Sequence, residues 1–237
     1  GCRWSSGNRL RGFLVMAGTA APSQWHLLRD ISVSYAHCFM FVSPAIREPL
    51  CTVLLLALEL EKALVSEEVM IRLIRIQWWD DAISAGTSHH AHPLIRQIIT
   101  LKEQGILTAE TLDGLCESWR SAAEDRDCLA AAWQTSIACL ASIIGASKIG
   151  ASNMSGSNDE IARKIGAQIC QSRTRQPVTA LSLDDRHALM RSGAIKSVLS
   201  GLSFMAVRSS TENSPHPDDD PLFIFKLCWH LLLRSSA

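Results

Sequence analysis

The chain has 237 residues, of which 47% are hydrophobic, and its 23 basic and 23 acidic residues give a formal net charge of zero. This composition excludes a disordered chain and a protein held to nucleic acid by bulk charge, and the length suffices for one sizeable hydrophobic core. The eight cysteines occur singly, without a CxxC pair, so they are expected to be buried reduced thiols rather than a disulfide scaffold.

The first 29 residues are basic, with arginines at positions 3, 9, 11 and 29, and contain no acidic residue. This bias is typical of a mitochondrial transit peptide or its remnant, and a flexible basic tail is the alternative. We expect residues 1–22 to form a basic N-terminal extension and residues 23–237 to form one helical domain. No run of about 18 uncharged apolar residues occurs, so no transmembrane helix is expected.

The hydrophobic periodicity predicts an all-α fold with short breaks and no strand. Ser23 is expected to cap a first helix that runs to about Phe39. Ser43 and Pro44 form a cap and a first-turn proline, and they predict a second helix through Leu64.

The segment 65–83 predicts a strong helix and carries two adjacent tryptophans. Ser66 is the expected N-cap, Glu67 and Glu68 would place negative charge in the first turn, and Gly86 would end the helix. At 100° per residue, apolar side chains fall on every side of this helix. Such a helix is usually buried in a core, so its charged residues must be paired, reach an edge or line a cavity.

Six further helices and two polar loops are predicted in the rest of the chain. The helices are Pro93 to about Glu103, closed by Gly105; Thr108 through Trp119; Asp125 to Ile144; Asn158 or Asp159 to about Gln171; Asp184 to about Val207; and Leu222 to Leu233. The loops cover residues 145–158 and 209–221, and Pro177 is expected to break the chain between helices.

The paired tryptophans lie in the stretch 71–82, which reads IRLIRIQWWDDA and is followed by His-Pro-Leu at 92–94. This pattern resembles the IRLQWWRDAL…HPV signature of the squalene/phytoene synthase family. The closest likeness is to its divergent branch, which includes a mitochondrial complex I assembly factor. Weaker likeness at 47–64 and 221–234 extends the resemblance to about residues 25–237. It implies an isoprenoid-synthase-type helical fold. The charged and aromatic residues of the signature helix are Arg72, Arg75, Trp78, Trp79, Asp80 and Asp81.

Active members of that family, as the resemblance implies, hold magnesium through two aspartate-rich motifs on facing helices. The metal binds carboxylate and phosphate oxygens together and offsets charge on the departing diphosphate. The first motif would lie near residues 58–64, where this chain has Glu59 and Glu61. Their spacing places them about 200° apart on a helix, so they cannot easily grip one ion. We interpret this motif as degenerate.

The second motif would lie around residues 159–175, but no acidic residue occurs from 161 to 183. The chain therefore lacks the carboxylates of the second metal-binding motif. Four basic residues in this region are possible contacts for an anion without a metal, although a solvated basic face is the favoured interpretation. They are Arg163, Lys164, Arg173 and Arg175.

The adjacent carboxylates Asp80 and Asp81 invite a metal hypothesis, but they lie about 100° apart on a helix. A structural salt bridge or surface exposure is the favoured interpretation. Arg75 and Trp79, four residues apart, could form a structural cation–π contact.

For two further polar clusters, a position at the surface without a special function is the favoured interpretation. His89, His90 and His92 lack the cysteine pair or spaced carboxylate that would complete a tetrahedral zinc site. Asp218, Asp219 and Asp220 precede Pro221 and indicate a solvated acidic turn before the last helix.

The resemblance and the missing acids together predict a pseudo-enzyme without metal or cofactor. It would act in the mitochondrial matrix, at the periphery of the inner membrane, as an assembly factor or accessory subunit of a large complex. Its expected partners are protein subunits of respiratory complex I or the mitochondrial ribosome, and no feature indicates direct nucleic-acid binding. The alternatives are a prenyl-diphosphate-using transferase or isoprenoid-binding or lipid-binding protein, and a peripheral protein bound to the inner membrane through its basic N-terminus.

Overall fold

The protein is all-α in the computed structural model. The structure describes residues 23–40, 42–86, 92–146, 155–174, 176–179, 181–182, 184–185, 194–209 and 226–227. Within these ranges there are nine complete α-helices and one 3-10 turn, and no strand. The helices are α1 (Gln24–Ile31), α2 (Val33–Cys38), α3 (Pro44–Ala63), α4 (Val69–Ser84), α5 (Pro93–Glu103), α6 (Ala109–Glu124), α7 (Leu129–Ala146), α8 (Ser155–Arg173) and α9 (Ala194–Ser209).

The predicted first helix is two helices, because Ser32 adopts an extended conformation (φ −152°, ψ 113°) between α1 and α2. Its backbone N–H donates to the Leu28 carbonyl, and its side chain accepts from the Tyr35 N–H. A serine hydroxyl that caps a new helix offers the backbone an alternative to continuing the old one. The predicted cap at Ser23 is confirmed, since its side chain accepts from the His26 N–H.

The tryptophan helix begins later than expected. Glu68, and not Ser66, occupies the N-cap position of α4, and no acidic residue lies in the first turn. The Ser66 hydroxyl instead accepts the Glu68 N–H at 3.3 Å within the preceding turn. The predicted stop at Gly86 is confirmed, because this glycine has the positive φ (+62°) that ends many helices.

Helices α3, α5 and α6 begin where the sequence predicts. Thr108 caps α6 by accepting the Thr111 N–H, and Gly105 adopts a φ of +69° after α5. Helix α6 runs five residues beyond the predicted end, to Glu124. The following segment opens with a 3-10 turn, Arg126–Cys128, before α7.

Helix α7 is the central helix of the described fold, and it packs against α3, α6, α8 and α9. By length and composition the segment Arg126–Ile144 could cross a membrane, and half of it is buried inside the fold. Trp133 of α7 meets Trp119 of α6 edge to face, with ring centroids 5.6 Å apart and both side chains fully buried. The Trp119 indole N–H donates to the Ser136 hydroxyl at 3.1 Å, which satisfies its polar atom.

Several predictions fall partly outside the described residues. Of the predicted loop 145–158, the ends belong to α7 and α8, and residues 147–154 are not described. Asp184 and Asp185 are helical, and α9 ends at Ser209, but the intervening residues 186–193 lie outside the description. The polar loop after Ser209 lies outside it as well. Of the last predicted helix only residues 226–227 are described, and they are helical.

Candidate functional site

Helix α4, which carries the tryptophan signature, lies at the surface and not in the core. One side is buried, and its members are Arg72, Ile76, Trp79, Ala82 and Ile83. On the opposite side Met70 is 67% exposed, Ile74 63% and Trp78 47%. The prediction of a helix buried on all sides is therefore wrong. The physical reason is that α3, α5 and α6 cover one side of α4, while no described element covers the other.

Arg72 is a buried structural residue. Its Nε donates to the Ala123 carbonyl at 2.7 Å, and its Nη1 donates to the Glu67 and Ser66 carbonyls at 3.1 and 3.3 Å. Ala123 lies in the last turn of α6, where unpaired carbonyls and the helix dipole favour a cation. The guanidinium thus ties α4 to the end of α6.

The Asp80 and Asp81 carboxylates have different partners and do not face a common site. Asp80 pairs with Arg120 of α6 at 2.8 Å, and Arg120 also binds Glu117. Asp81 accepts from Gln77 at 2.7 Å on the exposed side of α4. Burial alone would lower the pKa of Arg120, but its hydrogen bonds to Asp80 and Glu117 carry that pKa above its ordinary value. Asp80 thus links α4 to α6, Asp81 bonds within α4, and the two carboxylates do not form a metal pair.

The two tryptophans make different contacts. The Trp79 ring is buried and lies edge to face against His92, with centroids 5.0 Å apart, and Trp78 meets Trp79 at 5.1 Å. In the part of the chain that the structure describes, cation–π contacts form at Trp25 and Trp133, and the contact expected between Arg75 and Trp79 does not form.

A cleft of about 260 Å³ lies between the end of α3 and the middle of α4. Its lining residues are Glu59, Lys62, Ala63, Arg75, Trp78 and Trp79. The Glu59 carboxylate is engaged by Lys62 at 2.6 Å. The cleft therefore offers two indole rings and two cations beside one paired carboxylate.

Glu61 faces the other way, into the helices behind α3. Arg173 of α8 binds its carboxylate through Nε at 2.6 Å and through a second, shorter contact from Nη2. The Trp133 indole N–H donates to the same carboxylate at 3.3 Å. The Arg173 guanidinium also lies over the Trp133 ring, 5.7 Å from its centroid. Glu59 and Glu61 thus have separate partners and cannot share one ion.

Tyr35 completes this polar cluster. Burial raises the pKa of Tyr35 to about 12, despite the opposing influence of Arg173. Burial alone would lower the pKa of Arg173, but the charges of Tyr35 and Glu61 and their hydrogen bonds raise it well above its usual range. Sequence reasoning missed Tyr35 and Trp133, because both lie far along the chain from Glu61. The sequence could have drawn attention to them, because Tyr35 is the sole tyrosine and Trp133 is a tryptophan in an apolar helix.

Of the other three predicted anion contacts, the structure describes Arg163 and Lys164. Lys164 pairs with Glu160 at 3.0 Å and with Asp185 at 2.9 Å, and hydrogen bonds to Asp185 and Glu160 raise the pKa of Lys164. Arg163 is exposed, and Arg175 lies outside the described residues. Carboxylates from outside the acid-free stretch thus neutralise Lys164 and Arg173.

The described residues contain no group of three or more histidine, cysteine or acidic side chains that could hold a metal ion. His89 and His90 lie outside the description, and His92 packs against the tryptophans. The site is therefore an exposed tryptophan helix, an adjoining cleft and an internal ion pair, within an all-α protein. Comparisons of the chain with models of known protein families, with curated proteins and with solved structures found no match.

Proposed function

We propose that this protein is a catalytically inactive, squalene/phytoene-synthase-like mitochondrial protein that serves as an assembly factor or accessory subunit of a large complex. The single observation that carries the proposal is the Glu61–Arg173 ion pair between α3 and α8. The partner complex that the resemblance favours is respiratory complex I, and the mitochondrial ribosome is the alternative.

The ion pair matters because diphosphate chemistry needs carboxylates on facing helices to hold magnesium. Here the facing side chain is a guanidinium, which neutralises the carboxylate that a metal ion would need. Bidentate arginine–carboxylate pairs are strong and geometrically specific, so a hydrated magnesium ion competes poorly for Glu61. Glu59 is engaged by Lys62 on another side of α3. Both predicted motif residues thus pair with cations of the chain itself, which supports the inactive state.

The exposed side of α4 supports an interaction role. Large apolar side chains at the surface, grouped on one helix face, mark protein contact sites in many soluble proteins. The acid-free, arginine-containing first 29 residues favour import into mitochondria. A location in the matrix at the periphery of the inner membrane fits both observations.

Incubation of the purified chain with farnesyl or geranylgeranyl diphosphate, with magnesium or manganese present, tests the inactive state. We expect no condensation product. Head-to-head condensation that disappears in Glu61→Gln or Glu59→Gln, but persists in the surface control Glu103→Gln, would overturn the proposal.

Sedimentation of mitochondrial lysate tests the accessory role. The chain should travel with an assembly far larger than its own 26.0 kDa. A free monomer in that gradient contradicts an accessory role, whatever the outcome of the condensation assay.

The second candidate, a prenyl-diphosphate-using transferase or an isoprenoid-binding or lipid-binding protein, is favoured by the cleft at Trp78 and Trp79. Its cations suit an anionic head group and its indoles suit an apolar chain. Its volume of about 260 Å³ is below the roughly 300–1,000 Å³ of ordinary ligand pockets, which weighs against a long isoprenoid. Titration of the tryptophan fluorescence with farnesyl diphosphate distinguishes the two candidates. Saturable quenching that Arg75→Gln weakens would favour the second.

A further inference from the structure

One face of α4 carries a row of large apolar side chains that the described fold leaves in contact with solvent. The row consists of Met70, Ile74 and Trp78, which are spaced four residues apart and therefore lie on one side of the helix. It extends about 12 Å along the axis, and the partly exposed Ile71 borders it. Trp78 remains 47% exposed although it contacts Trp79 and His92.

Acidic residues stand at both ends of this row. At 100° per residue, Asp81 lies on the same side of α4 as Ile74, three residues beyond Trp78. Glu67 lies in the turn before the N-cap of α4, three residues before Met70. Both are exposed, and Glu68 adds a second exposed carboxylate at the N-terminal end. Arg75 lies to one side, at the cleft, and Arg126 donates to the Ser66 carbonyl before the N-terminal end of α4. The row therefore has an apolar centre with exposed carboxylates near both ends.

This charge pattern argues against a second copy of the chain as the occupant. In an antiparallel pairing of two α4 helices centred on Ile74, the acidic segment before α4 of each copy, with Glu67 and Glu68, would approach the end of α4 that carries Asp81 in the other. In a parallel pairing, equivalent carboxylates would meet. Juxtaposed like charges are destabilising, and they are a common means of excluding wrong partners.

We propose that this face of α4 binds an amphipathic helix of another protein, whose apolar row carries lysine or arginine at both ends. The partner's apolar side chains would cover Met70, Ile74 and Trp78, and its cations would meet the exposed carboxylates near the two ends of the row. Amphipathic helices are commonly recognised through anchors at such helical spacing. The proposal rests on the accessory role proposed above and names the contact surface for it.

A pair of synthetic helical peptides tests the proposal by fluorescence anisotropy with the full chain. The first peptide has leucines at the spacing of Met70, Ile74 and Trp78, and lysines at the spacing of Glu67 and Asp81. The second replaces both lysines with glutamates. We expect saturable binding of the lysine peptide and binding of the glutamate peptide that is weaker by about tenfold or more.

Substitutions in the chain locate the binding face. Ile74→Glu should weaken binding of the lysine peptide by about tenfold or more, while Ile106→Glu, at another exposed isoleucine in the turn before α6, should leave it unchanged. A double charge reversal, Glu67→Lys with Asp81→Lys, should transfer the preference to the glutamate peptide. Because all of these positions are exposed, circular dichroism should show unchanged helix content.

The proposal is overturned if neither peptide binds, if both bind equally, or if Ile106→Glu is as harmful as Ile74→Glu. It is also overturned if the chain sediments as a dimer that Ile74→Glu dissociates, since a second copy would then occupy the face. The accessory role is tested separately. If the chain binds the lysine peptide but sediments as a free monomer in mitochondrial lysate, the binding surface is supported and the accessory role is contradicted.

Discussion

Gly166 allows α8 to lie directly against the backbone of α7. A Cβ atom at this position would stand 2.5 Å from the Gln134 Cα and 2.7 Å from both the Gln134 nitrogen and the Trp133 carbonyl oxygen. These are backbone atoms, which cannot rotate away as a side chain can. The close approach brings α8 to the central helix and thereby places Arg173 near Glu61.

We expect Gly166→Ala to destabilise the protein by about 1–3 kcal/mol, because the two helices must move apart and lose packing. Gly114→Ala in α6 is the matched control, since a Cβ there meets nothing within 4 Å. It should stabilise the protein by about 0.5–1 kcal/mol through helix propensity. Urea unfolding measures both changes, and equal effects of the two substitutions would contradict the close approach.

The adjacent tryptophans provide a second comparison between single residues. Trp79→Ala should cost about 3–5 kcal/mol, because it empties a buried volume between α4 and His92. Trp78→Ala should cost about 1 kcal/mol, since roughly half of that side chain is already exposed. Thermal or urea unfolding of the two variants gives the comparison. Equal losses of stability would contradict the burial of Trp79 and the exposure of Trp78.

At the scale of single residues, helix caps could be predicted from the sequence, whereas contacts between residues far apart in the chain could not. Ser23 and Thr108 cap helices as predicted, because a cap needs only a hydroxyl and the next few N–H groups. The partners of Glu61 could not be predicted, since Arg173 lies 112 positions away. The separate environments of Glu59 and Glu61 follow from their 200° spacing, but the identity of each partner does not.

At the scale of elements, α4 shows how composition can mislead. Its apolar residues surround the helix, so periodicity gave no preferred buried side. The buried side is defined by tertiary contacts with α3, α5 and α6, which include the bond of Arg72 to the end of α6. Helix types and most starting points were predictable, whereas the break at Ser32 and the exposure of α4 depend on neighbouring elements.

Arg72→Met should weaken the attachment of α4 to α6 and cost about 1–3 kcal/mol, since three carbonyls lose a buried donor. Arg75→Met, one turn along the same helix, should change stability by less than about 0.5 kcal/mol, because Arg75 is exposed. Hydrogen exchange should accelerate at the C-terminal turn of α6 in the first variant only. Unchanged exchange there would remove Arg72 from its proposed structural role.

At the scale of the whole molecule, buried ionisable groups link the fold to pH. Burial raises the pKa of the Cys116 and Cys139 thiols from 9.0 to about 12, and that of Cys170 from 9.0 to about 11. Burial also raises the pKa of Tyr35 from 10.0 to about 12. These groups stay neutral in the folded protein at a pH where the unfolded chain already loses their protons.

The free energy of unfolding should therefore be insensitive to these groups below about pH 8 and fall as the pH rises above 9. The unfolded chain then binds fewer protons than the folded one, so the expected slope is negative, with about 1.4 kcal/mol per pH unit as an upper bound for each group. Urea unfolding under reducing conditions between pH 7 and pH 10.5 measures it. Cys139→Ala should reduce the slope, and a flat profile for the parent chain would contradict burial of these thiols.

The Glu61–Arg173 pair also has a consequence for the order in which the chain acquires its structure during synthesis. The carboxylate is made early, yet its guanidinium partner follows 112 positions later, and Trp133 follows after 72. Contacts of such long sequence separation carry a larger loop-closure cost than local contacts, and they slow folding. A nascent chain that ends before α8 leaves the end of α3 with an unneutralised charge beside apolar surface. Completion of the core thus awaits the emergence of α8 from the ribosome.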